Sequence, residues 1–128
     1  MTTVWVEVKQ QRDELGELEE FTWDLFPLVD GEQTKHLGEN GLPKVGAVIA
    51  PGMILVGKIG KTRNFDPTRQ PNALEIHGLP PEEVRARYGN MWINTSLYAS
   101  KDTAGTVRKA YFEESPTALK AVVELDRS

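Results

Sequence analysis

Glycine and proline interrupt the longest apolar stretch of this chain before it reaches helical length, and elsewhere polar and apolar residues alternate in short runs. The longest apolar run, residues 45–56, is broken by Gly46, Pro51 and Gly52. Residues 3–9 place Val4, Val6 and Val8 on one face and Trp5, Glu7 and Lys9 on the other, the two-residue period of a half-buried strand. Residues 20–25 repeat the pattern with Phe21, Trp23 and Leu25 on one face, and Pro27 ends that strand or confines it to an edge. Residues 105–112 set Thr106, Arg108, Ala110 and Phe112 against Val107, Lys109 and Tyr111. Residues 118–125 set Ala118, Lys120, Val122 and Glu124 against Leu119, Ala121, Val123 and Leu125.

The intervening segments complete a β-rich plan. Residues 45–49 and 53–59 are β-type runs parted by the turn signal Pro51-Gly52. Residues 10–17, with Gly16, read as an acidic loop, and Glu39-Asn40-Gly41 as a turn. Residues 30–38 fit one or two helical turns with Asp30 as cap. Residues 61–72 read as an exposed loop, 74–76 as a short strand, and 93–100 as extended chain. Pro80-Pro81-Glu82-Glu83 opens a helix, because proline is tolerated and acids are favoured in a first turn. That helix runs to about Tyr88 and stops at Gly89-Asn90, and a turn at 113–116 precedes the last strand. Strands at this spacing favour a small sandwich or barrel, mainly β, with one or two short helices.

The 128 residues suit one unit spanning 1–128, with an acidic part (1–50) and a second part (51–128) carrying the helix near 80–88. The first part holds ten acids and four bases, the second nine acids and eleven bases. That asymmetry fits two ordinary solvated faces or a second part that faces an anion. The net charge of −4 argues against an independent, tight nucleic-acid binder. There is no cysteine, which excludes thiol chemistry and suits a reducing cytoplasm. No apolar run approaches the roughly 20 residues of a membrane span, and residues 1–3 show no secretory signal.

Chemical motifs are sparse. His36 and His77 sit on separate segments without partners at ligand spacing. No serine lies in a nucleophile-elbow pattern, which leaves a small hydrolase the weakest function class. Gly60-Lys61-Thr62 imitates the end of a phosphate-binding loop, but Leu55 stands where that loop needs its first glycine, and proline and asparagine follow in place of a helix. Asn94-Thr95-Ser96 matches a glycosylation acceptor by accident. Glu82-Glu83 is explained by the helix start, and Glu19-Glu20 and Glu113-Glu114 read as solvated turn or edge positions. No cofactor or metal is expected. The bases Lys58, Lys61, Arg63 and Arg69 cluster near one loop, Arg108 lies on a strand, and Phe65, Tyr88, Trp92, Tyr98 and Tyr111 are interleaved with them. Bases with aromatics can form a stacking surface for single strands. In so small a chain the core claims most aromatics.

Several motifs, in order, resemble the flap region of the bacterial RNA polymerase β subunit. Residues 50–59, Ala-Pro-Gly-Met-Ile-Leu-Val-Gly-Lys-Ile, are similar to that family's Gly-Asp-Ile-Leu-Val-Gly-Lys-Val, with Met53 replacing the aspartate. Residues 79–89 match a short family helix ending in glycine. Thr95-Ser96-Leu97-Tyr98 and Thr103-Ala104-Gly105-Thr106-Val107 match its Ser-Leu-Arg and Gly-x-x-Gly-Thr-Val, with Tyr98 replacing arginine. Upstream, residues 2–8, Arg12-Asp13, Leu15-Gly16 and Glu19-Glu20-Phe21-Thr22 also fit.

The resemblance implies a β-rich flap unit that walls the RNA exit channel of a nucleotidyltransferase. It implies contact with other polymerase subunits, with transcription factors and with RNA in the assembled enzyme, and no membrane partner. Lys58, Lys61, Arg63, Arg69 and Arg108 are then the candidates to face nucleic acid. Two departures limit the transfer. Residues 113–117 close the gap where the family inserts a distal flap with a tip helix, so a tip-dependent sigma contact is not implied. The chain also ends before the basic, glycine-rich segment that approaches the active centre, so the catalytic residues are not expected here. A second reading is a free-standing interaction module derived from the flap.

Overall fold

The computed structural model describes residues 2–127. Nine strands and two short α-helices follow in the order β1 (Thr2–Lys9), β2 (Glu20–Phe21), β3 (Val48–Ile49), β4 (Ile54–Val56), β5 (Lys58–Lys61), α1 (Ala73–Gly78), α2 (Pro81–Tyr88), β6 (Trp92–Asn94), β7 (Leu97–Tyr98), β8 (Gly105–Glu114) and β9 (Leu119–Arg127). The expected mainly β architecture is the one observed.

The two ends of the chain lie side by side. β1 pairs antiparallel with β9, from Thr2 opposite Arg127 to Lys9 opposite Lys120. The larger sheet runs β1-β9-β8-β3, which makes β9 an inner strand and buries Ala121 through Leu125. Val4, Val6 and Val8 turn inward as the alternation predicts, while Trp5 is 72% exposed. β8 departs from simple alternation. Val107 faces Leu125, and the register then slips so that Lys109 faces Glu124. The extra residue, Arg108, is a β-bulge. Strict alternation sets Val107 on the face opposite Ala110 and Phe112, whereas the bulge returns all three to the core side.

A three-stranded sheet, β2-β5-β6, and the pair β4-β7 close the other side. The run 53–59 is two strands, because the chain changes sheets at Gly57. A Cβ there would lie 2.1 Å from the Thr22 carbonyl oxygen, so only glycine lets β5 leave β4 against the backbone at Thr22. One core cluster joins Phe21, Leu42, Ile49, Leu55 and Val56 to Val107, Ala121, Val123 and Leu125. A smaller one gathers Leu25, Val29, Leu37 and Ile54.

Other local expectations change. The strand at 20–25 shortens to Glu20–Phe21, because the Thr22 hydroxyl accepts the Asp24 N–H (3.0 Å) and turns the chain. In 45–49 only Val48–Ile49 is strand. The residues at 74–76 are helical. The Asn72 side chain accepts the Glu75 N–H (2.8 Å) and the Glu75 carboxylate accepts the Asn72 N–H (3.2 Å), a capping box that starts α1. Asp30 stands at a helical N-cap without a side-chain bond, and the helical part of 30–38 is a single 3-10 turn, Gly31–Gln33. The β8–β9 turn closes over residues 115–118, where Ser115 and Ala118 exchange hydrogen bonds.

Candidate nucleic-acid interface

The five candidate bases do not form one patch. Lys58 begins β5 and is buried, with its ammonium against the buried Glu19 carboxylate. Glu19 also accepts the Gln11 N–H (2.7 Å), and its carbonyl accepts from the Gln10 amide (2.6 Å). In this fold Lys58 offers no free charge to solvent, and it does not belong with the exposed bases. The neighbour Glu19 is equally far from the solvated turn position read from its sequence. Paired acids mark turns well, but alternation hides which of two neighbours points inward.

Lys61, at the end of β5, reaches Glu17 (3.1 Å) and lies 4.7 Å from the centre of the Phe65 ring. Phe65 in turn meets Trp92 edge-on at 6.0 Å. Arg63 is exposed, and its backbone N–H is held by the Glu14 carboxylate (2.9 Å). Arg69 stacks 5.5 Å from the Tyr88 ring and donates to the Arg87 carbonyl (2.8 Å). Lys61 therefore ends β5 beside Phe65, and Arg63 and Arg69 follow in the loop that leaves it, with Arg69 against Tyr88. Arg108 lies apart, on the bulge of β8, near the Thr3 hydroxyl (3.4 Å). Tyr98 and Tyr111 are likewise on other strands.

This loop is fixed by carboxylates at its base. Asp13 accepts the N–H groups of Leu15 (2.9 Å), Glu17 (3.0 Å) and Lys61 (3.2 Å). Burial pushes its carboxyl upward, but those three donors and the Lys61 charge outweigh it and hold it below the ordinary value. The Tyr88 hydroxyl donates to Glu75 (2.6 Å) and lowers that carboxyl, while Glu75 raises the Tyr88 phenol in return. The imitation phosphate loop is no loop at all: Gly60 and Lys61 are strand residues, and the Thr62 hydroxyl donates to the Asn90 carbonyl (2.6 Å). His36 binds the Ile54 carbonyl through Nε2 (2.6 Å), a structural contact. Among the described residues, no three His, Cys, Asp or Glu side chains converge as metal ligands. No helix among them is long and apolar enough to cross a membrane.

Fold and site together define a β-built scaffold unit that presents a basic and aromatic loop. The chain belongs to the family described as RNA polymerase Rpb2, domain 6, which matches residues 1–125. It is 34% identical over 97% of its length to the DNA-directed RNA polymerase subunit beta of Phocaeicola vulgatus. It is 39% identical over 83% to that of Bacteroides fragilis, and 35% identical over 84% to that of Porphyromonas gingivalis. The chain covers only 8%, 6% and 7% of those three relatives.

Proposed function

We propose that residues 1–128 form one flap-type unit of a DNA-directed RNA polymerase β subunit, a non-catalytic wall of the RNA exit channel that works in the cytoplasm. The observation behind this reading is the family match across residues 1–125, which includes both the acidic and the basic part. Lys61, Arg63 and Arg69, beside Phe65 and Tyr88, are the side that meets RNA, since bases supply the sequence-independent attraction and rings supply stacking. Arg108 is a second, separate contact. Its partners are the other polymerase subunits and transcription factors.

The test is RNA crosslinking in a polymerase assembled with this chain. Reversing Arg63 and Arg69 to glutamate should weaken crosslinking to this unit, and Arg108→Glu should weaken it independently. Unchanged crosslinking in all three variants would remove RNA contact from the proposal. The tight closure at residues 115–118 favours a second reading, an interaction module outside transcription. Native pull-down separates the two: co-purifying polymerase subunits support the flap, and their absence supports the module.

A further inference from the structure

A cavity of about 310 Å³ opens on one face of the β2-β5-β6 sheet. Register explains its walls. Glu20 pairs with Ile59, and Lys61, two residues further along β5, pairs with Trp92. Residues two apart on a strand share a face, so Glu20, Ile59 and Trp92 project together. The turn after β2 adds Asp24 and Phe26, and α1 adds Ile76.

The chemistry of this lining is one-sided. It holds two carboxylates and two aromatic rings but no lysine or arginine. Neither Glu20 nor Asp24 has an ion pair among the described residues. The nearest base by register, Lys61, is already held by Glu17. Trp92 is braced edge-on by Phe65. Carboxylates attract a cation, and the negative face of an indole does so too. Ile59 and Ile76 supply apolar surface for the methylenes of a long basic side chain.

We propose that this cavity is a docking pocket for an arginine side chain of a protein partner. Arginine fits better than lysine, because its planar guanidinium both stacks on an aromatic face and forks onto a carboxylate. A protein source is argued from length: in the relatives this stretch is 6–8% of a much longer polypeptide, so protein is the material at hand to supply the arginine. The pocket excludes phosphate by like charge, so it complements the basic loop without depending on that loop meeting RNA.

The test uses the full chain with Trp5→Phe and Trp23→Phe, both at exposed positions, leaving Trp92 as the sole tryptophan reporter. The probes are a blocked Ser-Arg-Ser peptide, its citrulline counterpart and spermidine. The arginine peptide should change Trp92 emission saturably. Glu20→Gln with Asp24→Asn should weaken it about tenfold or more, the effect of losing charge-assisted hydrogen bonds, and Glu114→Gln should not. An equal response to citrulline, or no saturable response, overturns the pocket, and this comparison stands even if the double variant folds poorly. Tighter binding of spermidine than of the peptide overturns the protein source.

Discussion

The contact between Lys58 and Glu19 makes a quantitative demand on the fold. Both side chains are nearly excluded from water, at 5% and 7% exposure. Lys58→Met leaves the Glu19 carboxylate buried with the Gln11 N–H as its remaining donor. Glu19→Gln leaves an ammonium without a counter-charge. Breaking a buried pair from either side costs about 3–5 kcal/mol. The double variant removes both charges, and the amide oxygen at 19 still accepts from Gln11, so only the mismatch of a neutral polar group remains, about 1–3 kcal/mol. The two single losses therefore exceed the double loss by at least about 3 kcal/mol. In urea, with a slope of about 2 kcal/mol/M, each single variant lowers the midpoint by roughly 2 M, and the double variant recovers much of that. Single losses under about 1 kcal/mol, the range of exposed pairs, or additive losses would refute the buried-pair account. The same arithmetic explains why charge reversal at Lys58 is unsuited to probing RNA: it destabilises the sheet that carries the loop.

Other perturbations test separate joints. Asp13 has a depressed carboxyl in the folded chain, so its contribution is complete above the unfolded value of about 3.9 and is lost as pH falls through the folded one. Asp13→Asn should flatten the acid limb of a stability–pH curve, and an unchanged limb would contradict its role. Gly57→Ala drives a Cβ into the Thr22 carbonyl and should cost about 3 kcal/mol or more, whereas Gly31→Ala meets open space and should lie within about 0.5 kcal/mol of neutral in the same urea assay. Asn72→Ala removes the capping box and should cost about 1 kcal/mol. Amide exchange across residues 73–78 should then quicken about fivefold, and exchange in β9 should not change.

The edge strand β1 was readable because one of its faces is wet. Residues 3–9 announce β1 through three valines and three outward polar or aromatic positions, and the helix at Pro81–Tyr88 announces itself through its prolines and acids. What escaped was set by contacts distant in sequence or by competition within a few residues. The bulge at Arg108 depends on pairing with β9 and leaves no trace in β8 alone. Leu74 and Ile76 imitate a strand, yet Leu74 is 84% exposed, and the Asn72–Glu75 box decides for helix. Asn72 and Glu75 stand at capping-box spacing, the signal that was available and outweighed by apparent alternation. The basic cluster was legible as a set of residues but not as a surface, because burial of Lys58 requires Glu19, 39 positions away.

That last point bears on the charge asymmetry between the two parts of the chain. An excess of bases in 51–128 invites an external anion as its explanation. Within the fold, part of the match is internal. Glu17 meets Lys61, Glu19 meets Lys58, and Glu7 meets Lys120, each an acid of the first part against a base of the second. Long-range antiparallel pairing makes this natural, since β1 and β2 lie directly on β9 and β5. Part of the asymmetry is therefore taken up inside the fold, and in the proposed RNA contact the bases outside these pairs carry the most available charge, with Lys61 shared with Glu17. Arg63, Arg69 and Arg108 are among them, so the crosslinking variants belong there. The converse holds on the acidic side. Among the described residues Glu20 and Asp24 have no such ion pair, which is why the proposed arginine is sought outside them.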